Sequence, residues 1–314
     1  MIFNFMKNHA DIYPVENMAK ILEVSRSGYY KYINHKETFT SRRNKELTQK
    51  IKEISKESRY IYGSPRIHAV LKKQEEQCSL KRVAKLMKIH GIQSKIRKKW
   101  KASKNIHKNA TSIAPNLLKQ NFKVDEANTV WVMDITYVAT QEGWLYVSTV
   151  LDLYSRKIVG LSMGNNSDTH LVLQSLSQAI THRNPSKNII LHSDQGTQYT
   201  SDAYQRYALM HGFRLSMSAK GNCYDNAAME TFFHTLKVEH VFFCKYLTKE
   251  EAKLSIFEYV EIFYNRQRLH SSLNYMSPVE FELSHQRIAL QNSTSRVKLA
   301  LPAIEVKENL IPRI

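Results

Sequence analysis

Three carboxylates, Asp134, Asp194 and Glu230, stand in contexts that ordinary surface acids do not share. Asp134 interrupts Trp131-Val132-Met133-Asp134-Ile135-Thr136-Tyr137, a strand pattern apolar on both faces. An ionised group there is costly unless it is paired or bound to a metal. Asp194 follows Ile189-Ile190-Leu191-His192-Ser193 at a strand end, where open α/β sheets build their sites, and Gly196 just beyond permits a tight turn. Glu230 lies on an amphipathic helix, with Asn226, Glu230, His234 and Lys237 on one face and Ala228, Phe232 and Leu236 on the other. Converging on one cleft, three such acids can hold two divalent cations about 3.5–4 Å apart, which activate one oxygen and stabilise another in phosphoryl transfer. Lys237, two turns beyond Glu230, is then placed to reach a phosphate of bound DNA. The opposing reading is that the three acids are caps and surface charges. Spacing does not separate the two readings, because 35 residues lie between Asp194 and Glu230 and also between Asp225 and Glu261.

Such a site needs strand ends and a helix brought to one place. Val130–Val138, Trp144–Asp152 and Lys157–Met163 have the β-branched and aromatic texture of strands, with Gln141-Glu142-Gly143 as a hairpin between the first two. His170–His182 reads as a helix, Asn188–His192 as a short buried strand, Ser201–His211 as a helix and Arg214–Ser218 as a fifth strand. Helices over Asp225–His240 and Lys249–Arg266 complete the pattern. Three antiparallel strands followed by alternating helices and strands predict a mixed α/β domain. Asp152 is expected to cap the turn after the second strand. His192 and His234 are expected to be neutral rings that orient a neighbour, not metal ligands.

The charge is unevenly spread. Residues 1–125 hold 28 of the 46 Lys and Arg but only 10 of the 28 Asp and Glu, so they carry the whole net charge of +18. A polyanionic partner is the usual reason for such asymmetry, and it points to nucleic acid. An apolar content of 42% is enough for a core and excludes global disorder. No apolar run approaches the roughly 18 residues of a membrane span. Three cysteines without a CxxC pair fit a reducing compartment and argue against structural zinc.

Within the basic half, residues 14–34 read as helix, turn, helix, with Ser25 or Ser27 as a cap, and Arg42–Lys56 reads as a helix striped by Leu47, Ile51 and Ile54. Pro65 marks another helix start. Ser79 caps a helix whose Leu80, Val83, Ala84 and Met87 are expected to face the core, and Gly91 ends it. Lys81, Arg82, Lys85 and Lys88, with Arg97, Lys98 and Lys99 in the following basic tract, are candidate phosphate contacts; the alternative is a solvated face. Trp100 is expected to pack between domains. Residues 102–124, rich in Asn, Ser and Lys, read as a linker, and residues 285–314 as a weakly ordered tail.

The acidic segments carry a family resemblance. The run 131–137, His192-Ser193-Asp194-Gln195-Gly196-Thr197-Gln198-Tyr199 and the stretch from Ser218 to Phe233 are similar to DDE transposases of the IS3 family, and in particular to its second-frame product. Tyr264-Asn265-Arg266-Gln267-Arg268-Leu269-His270 and Ser277-Pro278 match that family's C-terminal pattern. The resemblance implies an RNase H-like mixed five-stranded sheet with helices, preceded by a helix-turn-helix-type region. It implies Asp134, Asp194 and Glu230 as catalytic ligands of two Mg²⁺ or Mn²⁺ ions, and cleavage and strand transfer of insertion-sequence ends as the activity. The partners implied are double-stranded DNA, further copies of the chain, and the first-frame protein of the same element, in a bacterial cytoplasm at the nucleoid. With no heptad array before its core, the chain is expected to be the short, unfused product. The expected division is 1–60 helical, 61–101 basic and helix-turn-helix-like, 102–125 linker, 126–285 catalytic and 286–314 tail. A DNA-binding regulator with an inert core, or a nuclease that cuts without joining, are the rival readings.

Overall fold

Strand texture sets the architecture. The computed structural model describes residues 1–34, 38–95, 114–218 and 223–288. Helices α1 (Ile2–Asn8), α2 (Val15–Ile21), α3 (Arg26–Ile33), α4 (Phe39–Glu57), α5 (Ser64–Lys73) and α6 (Leu80–Ile89) come first. The sheet follows as β1 (Val130–Thr140), β2 (Gly143–Asp152), β3 (Ile158–Gly164), β4 (Ile190–Ser193) and β5 (Arg214–Met217). Between and after the strands lie α7 (Thr169–Arg183), α8 (Thr197–Thr200), α9 (Asp202–Met210), α10 (Ala227–Glu239) and α11 (Lys249–Glu258), then α12 over residues 278–288. Arg97, Lys98, Lys99, Trp100, most of the expected linker and the tail beyond 288 lie outside the described residues.

The sheet order is β3-β2-β1-β4-β5. β1, β2 and β3 pair antiparallel, and β4 and β5 add parallel to β1. This is the expected RNase H-like mixed sheet. Both faces are covered, so the strands are apolar on both sides. Trp131, Met133 and Val150 pack with α7, α8 and α9 on one face. Val130, Val132 and Leu151 share the other face with Phe232 and Leu236 of α10 and with Leu47, Ile51, Ile67 and Leu71 of α4 and α5. At roughly 1.5–3 kcal/mol for each fully buried large side chain, Phe232 and Leu236 anchor α10 firmly against the sheet. Gly160 of β3 approaches α7 so closely that a Cβ would lie 2.1 Å from the Ser175 carbonyl oxygen.

The N-terminal helices form two groups. Met6, Met18, Ala19 and Tyr29 make a small core of their own in α1–α3, whereas α4, α5 and α6 join the main core. The Ser25 and Ser79 side chains cap α3 and α6 as expected, accepting from the Gly28 and Arg82 amides. On α6 the buried stripe is Val83, Leu86 and Met87, with Leu80 and Ala84 exposed, a correction to the expected face. Leu86 offers far more apolar area than the single methyl of Ala84, so the helix turns toward it.

Two further segments differ from expectation. The helix from Lys249 does not run on unchanged to Arg266 but passes at Tyr259 into a π-helical turn, Tyr259–Tyr264. That turn buries Tyr259, Val260, Phe263 and Tyr264 together. The end of the expected linker is packed rather than free. Leu118 is buried, and the Asn116 and Gln120 amides donate to the carboxylate of Asp225 at 2.9 and 3.0 Å. A buried carboxylate needs such donors.

Asp152 caps as expected, accepting from the Tyr154 amide at 3.0 Å and the Asn128 amide at 2.8 Å. Arg183 at the end of α7 bridges Asp152 to Glu282 of α12, at 3.0 Å to Asp152. All three side chains are nearly sealed from solvent, with Asp152 at 0% exposure. Removing one partner of a buried ion pair strands the others and typically costs about 3–5 kcal/mol. Arg183→Gln is therefore expected to lower stability by about that amount, measured as urea unfolding of the full chain, while Lys81→Gln on the exposed face of α6 changes it little.

Candidate active site

β1 and β4 lie side by side in parallel, with Val130 opposite Ile190 and Val132 opposite His192. Continuing that register sets Asp134 level with Asp194, which stands just past the end of β4. Neighbouring strands are about 4.8 Å apart, so the two acids leave adjacent strands at one level. The Asp194 Oδ1 accepts from the Gly196 amide at 2.9 Å, closing the turn into α8. Glycine fits there because a Cβ on residue 196 would lie 3.0 Å from that same oxygen. The Asp134 Oδ1 accepts from the Ile135 amide at 2.7 Å. Glu230 sits in the first turn of α10, exposed at the cleft rim, while Met229, Phe232 and Phe233 beside it are buried.

Electrostatics ties the three together. Asp134 keeps one edge open, yet it is crowded enough that burial pushes its pKa well above the usual carboxylate range. The charge of Asp194 raises it further and Glu230 adds a smaller push, against the Ile135 hydrogen bond and the Lys237 ammonium. Glu230 is itself raised by burial. Among the described residues, no three His, Cys, Asp or Glu side chains are grouped closely enough to hold a metal as placed. The acids thus share one field without forming a closed cage. The chemistry of the donors still suits a hard divalent cation, since all three offer carboxylate oxygens. Asn226 adds a buried Oδ1 without a hydrogen-bond partner, while its Nδ2 lies 3.4 Å from the carbonyl of Met133, the residue before Asp134.

Behind the acids, His192 is fully buried, and burial holds its pKa down to about 4. Ser216 Oγ, which accepts from the Leu117 amide, lies 2.8 Å from Nδ1, and Ser218 Oγ lies 3.2 Å from Nε2. With Ser218 also 3.4 Å from the Ser193 carbonyl, the network is satisfied by a neutral ring protonated at Nε2. His192 therefore holds the ends of β4 and β5 together, as a neutral orienting residue should. His234 is half-buried on α10. Tyr199 escaped the sequence reading. Its buried phenol is raised by burial and by the charges of Asp134 and Asp194, so it forms the wall behind both. Only its place five residues after Asp194 hinted at this.

The expected phosphate contacts divide. Lys81, Lys85 and Lys88 are exposed on α6. Arg82 is half-buried and donates through Nε and Nη2 to Asn44 Oδ1 at 2.9 and 2.7 Å, tying α6 to α4. Lys237 is buried, with Nζ 4.9 Å from the centre of the Tyr137 ring and close enough to Asp134 for each charge to act on the other. Its position is beside the acids rather than on an open face.

Comparison with known proteins follows the same outline. The integrase core domain family matches residues 124–223, a second integrase core domain family residues 230–285, and an HTH-like domain family residues 42–100. A 31 kDa protein of insertion element IS600 from Shigella sonnei is 39% identical over 272 residues, covering 87% of this chain and 100% of that protein. Transposase InsF for insertion sequence IS3A from Escherichia coli K12 is 34% identical over 284 residues, 90% of this chain and 98% of the relative. The transposase of element IS904 from Lactococcus lactis is 42% identical over 236 residues, 75% of this chain and 93% of the relative. Among solved structures, a simian T-cell lymphotropic virus intasome chain aligns with a TM-score of 0.42 at 12% identity, covering 84% of this chain and 79% of that one. Identity at this level over nearly the whole of each relative, with the integrase core and HTH-like matches in the same order, makes the chain a member of the IS3 family of insertion-sequence transposases.

Proposed function

We infer that this chain is a DNA transposase that cuts and joins insertion-sequence ends by phosphoryl transfer, with Asp134, Asp194 and Glu230 as its catalytic residues. The observation that carries the reading is the pair of aspartates, level on adjacent parallel strands and each disfavouring the other's charge. Perturbed carboxylates of this kind mark functional sites more often than structural ones. The carboxylates of Asp134, Asp194 and Glu230 would hold two Mg²⁺ or Mn²⁺ ions. When bound, such ions activate the attacking oxygen and stabilise the leaving oxygen.

The chain's own residues do the rest. Asp134 and Asp194 fix the site from the rigid sheet, and Glu230 brings the third carboxylate from the rim on α10. The Lys237 ammonium tempers the charge on Asp134, and the neutral His192 keeps the two strand ends in place. In the first step a water oxygen attacks the donor-strand phosphodiester and a 3′-hydroxyl leaves. In the second, that hydroxyl attacks a phosphodiester of the target, the target strand's own 3′-oxygen leaves, and a new strand joint forms. Each step is a direct displacement at phosphorus, so no protein nucleophile is required.

Residues 126–285 form the catalytic domain, 1–60 and 61–101 the helical and basic DNA-binding regions, 102–125 the connection and 286–314 the tail. The basic half and the HTH-like match support double-stranded DNA as partner. Assembly of several copies on paired ends, with the first-frame protein supplying end recognition, is the arrangement we favour. No helix among the described residues is long and apolar enough to cross a membrane, and we place the protein in the bacterial cytoplasm at the nucleoid.

Labelled end DNA incubated with a target plasmid in Mg²⁺ is expected to give a joined product. Asp194→Asn should reduce joining by about 10³-fold or more while DNA affinity stays within a few fold. Cutting without joining would replace the reading by a nuclease, and undiminished activity of Asp194→Asn would replace it by a regulator.

A second outcome follows from the raised pKa of Asp134. Its folded-state pKa lies above the unfolded value, so its contribution to stability is fully present below the unfolded pKa and is lost as pH rises through the folded one. Asp134→Asn is expected to melt higher than the parent at pH 7.5 in chelator. Each kcal/mol recovered is worth about 2–4 °C in a chain of 150–250 residues, and somewhat less here. The gap should narrow as the pH is lowered and also when Mg²⁺ is added. A parent that melts as high as Asp134→Asn at pH 7.5 would contradict it.

A further inference from the structure

A cavity of about 470 Å³ opens on a flank of α10 away from Glu230, lined by Ala227, Thr231 and Thr235 of that helix. Its walls carry Arg66 of α5, Arg156 after β2, and Arg268 and His270 after the π-helical turn. Among the described residues Glu239 is the carboxylate bonded to this cluster, and the more distant Asp152, already paired with Arg183, acts on Arg156. Glu239 accepts from Arg268 through both oxygens at 2.6 Å each and from the Tyr259 hydroxyl at 3.0 Å. Arg268 and Glu239 therefore cancel. Arg66 reaches Glu239 only at 3.7 Å, and its guanidinium otherwise lies 5.6 Å from the centre of the Tyr62 ring. Arg156 makes one hydrogen bond, to the Phe122 carbonyl at 3.2 Å, and has no ion pair among the described residues. Two guanidinium groups thus face a half-buried cavity in excess of the acids. Burial lowers the pKa of both, and Arg268 pushes Arg66 further in that direction against the smaller opposing pull of Glu239.

Ion clusters that merely fasten two regions together match cations with acids. This one leaves two arginines over, beside the hydroxyls of Thr231, Thr235 and Ser271 and the small first residues of α10. Planar, always-charged guanidinium groups are suited to phosphate, which they grip with paired N–H donors. We propose that this cavity is a phosphate site, separate from the acidic cleft, that takes a backbone phosphate of bound DNA. The assignment rests on the transposase reading above for its choice of DNA. It has its own support in the position of Arg66, which belongs to the basic helical region while the other walls belong to the catalytic domain. A phosphate held there touches both regions at once.

The test uses the full chain and an Arg66→Gln/Arg156→Gln double variant. Binding of a duplex carrying the element end is followed from 50 to 300 mM NaCl. Each phosphate contact contributes about 0.9 to the slope of log K against log salt, so the variant, which loses one phosphate, should lose about 0.9 from the slope. Inorganic phosphate should raise the melting temperature of the parent and leave that of the variant unmoved. If the double variant does not fold, Thr235→Glu sets an acid at the cavity mouth and should cost about one from the same slope. An unchanged slope in the variants overturns the proposal, whether or not inorganic phosphate protects the parent. Protection of parent and variant alike also overturns it. Failure of the parent to join DNA counts against the transposase reading alone, since the slope is measured on binding without chemistry.

Discussion

Two like charges held level on neighbouring strands are the constraint around which the chain is organised. A sheet buried on both faces has no natural place for Asp134, and Asp194 beside it makes ionisation harder still. A backbone amide on each aspartate, the Lys237 ammonium and a neutral histidine network surround the pair. The rest of the structure keeps the acids there regardless. Phe232 and Leu236 anchor α10, the Arg183 bridge fastens α7 to α12, and Gly160 lets α7 lie hard against β3. Stability spent on the site is recovered in the core, which is a common trade in enzymes.

The acidic centre is better described as poised than as assembled. Asp134 and Asp194 are fixed by the sheet, whereas Glu230 rides on a helix at the rim, and among the described residues the acids are not grouped closely enough as placed to hold a metal. The buried Oδ1 of Asn226, without a hydrogen-bond partner, lies one turn before Glu230 on the same side of the helix.

Much of this was legible from the residues. The five strands and most helices follow from long β-branched runs and clean apolar periodicity, and the caps at Ser25 and Ser79 from local chemistry alone. The pairing of Asp134 with Asp194 was visible as two acids in strand contexts, though the register that levels them was not. What stayed hidden depends on packing between distant segments. The face of α6 turned because Leu86 outweighs Ala84 once α4 and α5 are in place. Lys237 was assigned to the polar side of α10 by its angle, but Tyr137, across the sheet edge, covers it. Arg82 looked like a free cation until Asn44 came within reach. Composition suggested a slack connection up to 124, whereas Asp225 needed amide donors and found them in Asn116 and Gln120.

The shared core of α4–α6 with the catalytic sheet has one more consequence. Tyr62 at the head of α5 donates to the Gln267 carbonyl at 3.0 Å and accepts from the Leu269 amide at 2.8 Å, and Arg59 lies over the Phe263 ring. A fragment trimmed to begin near residue 126 would bare the oily side of the π-helical turn and leave these backbone groups unsatisfied. Crystallographers wanting a minimal catalytic piece should keep the chain from about Thr38 onward, because α4–α6 also serve as the lid on the enzyme's own interior.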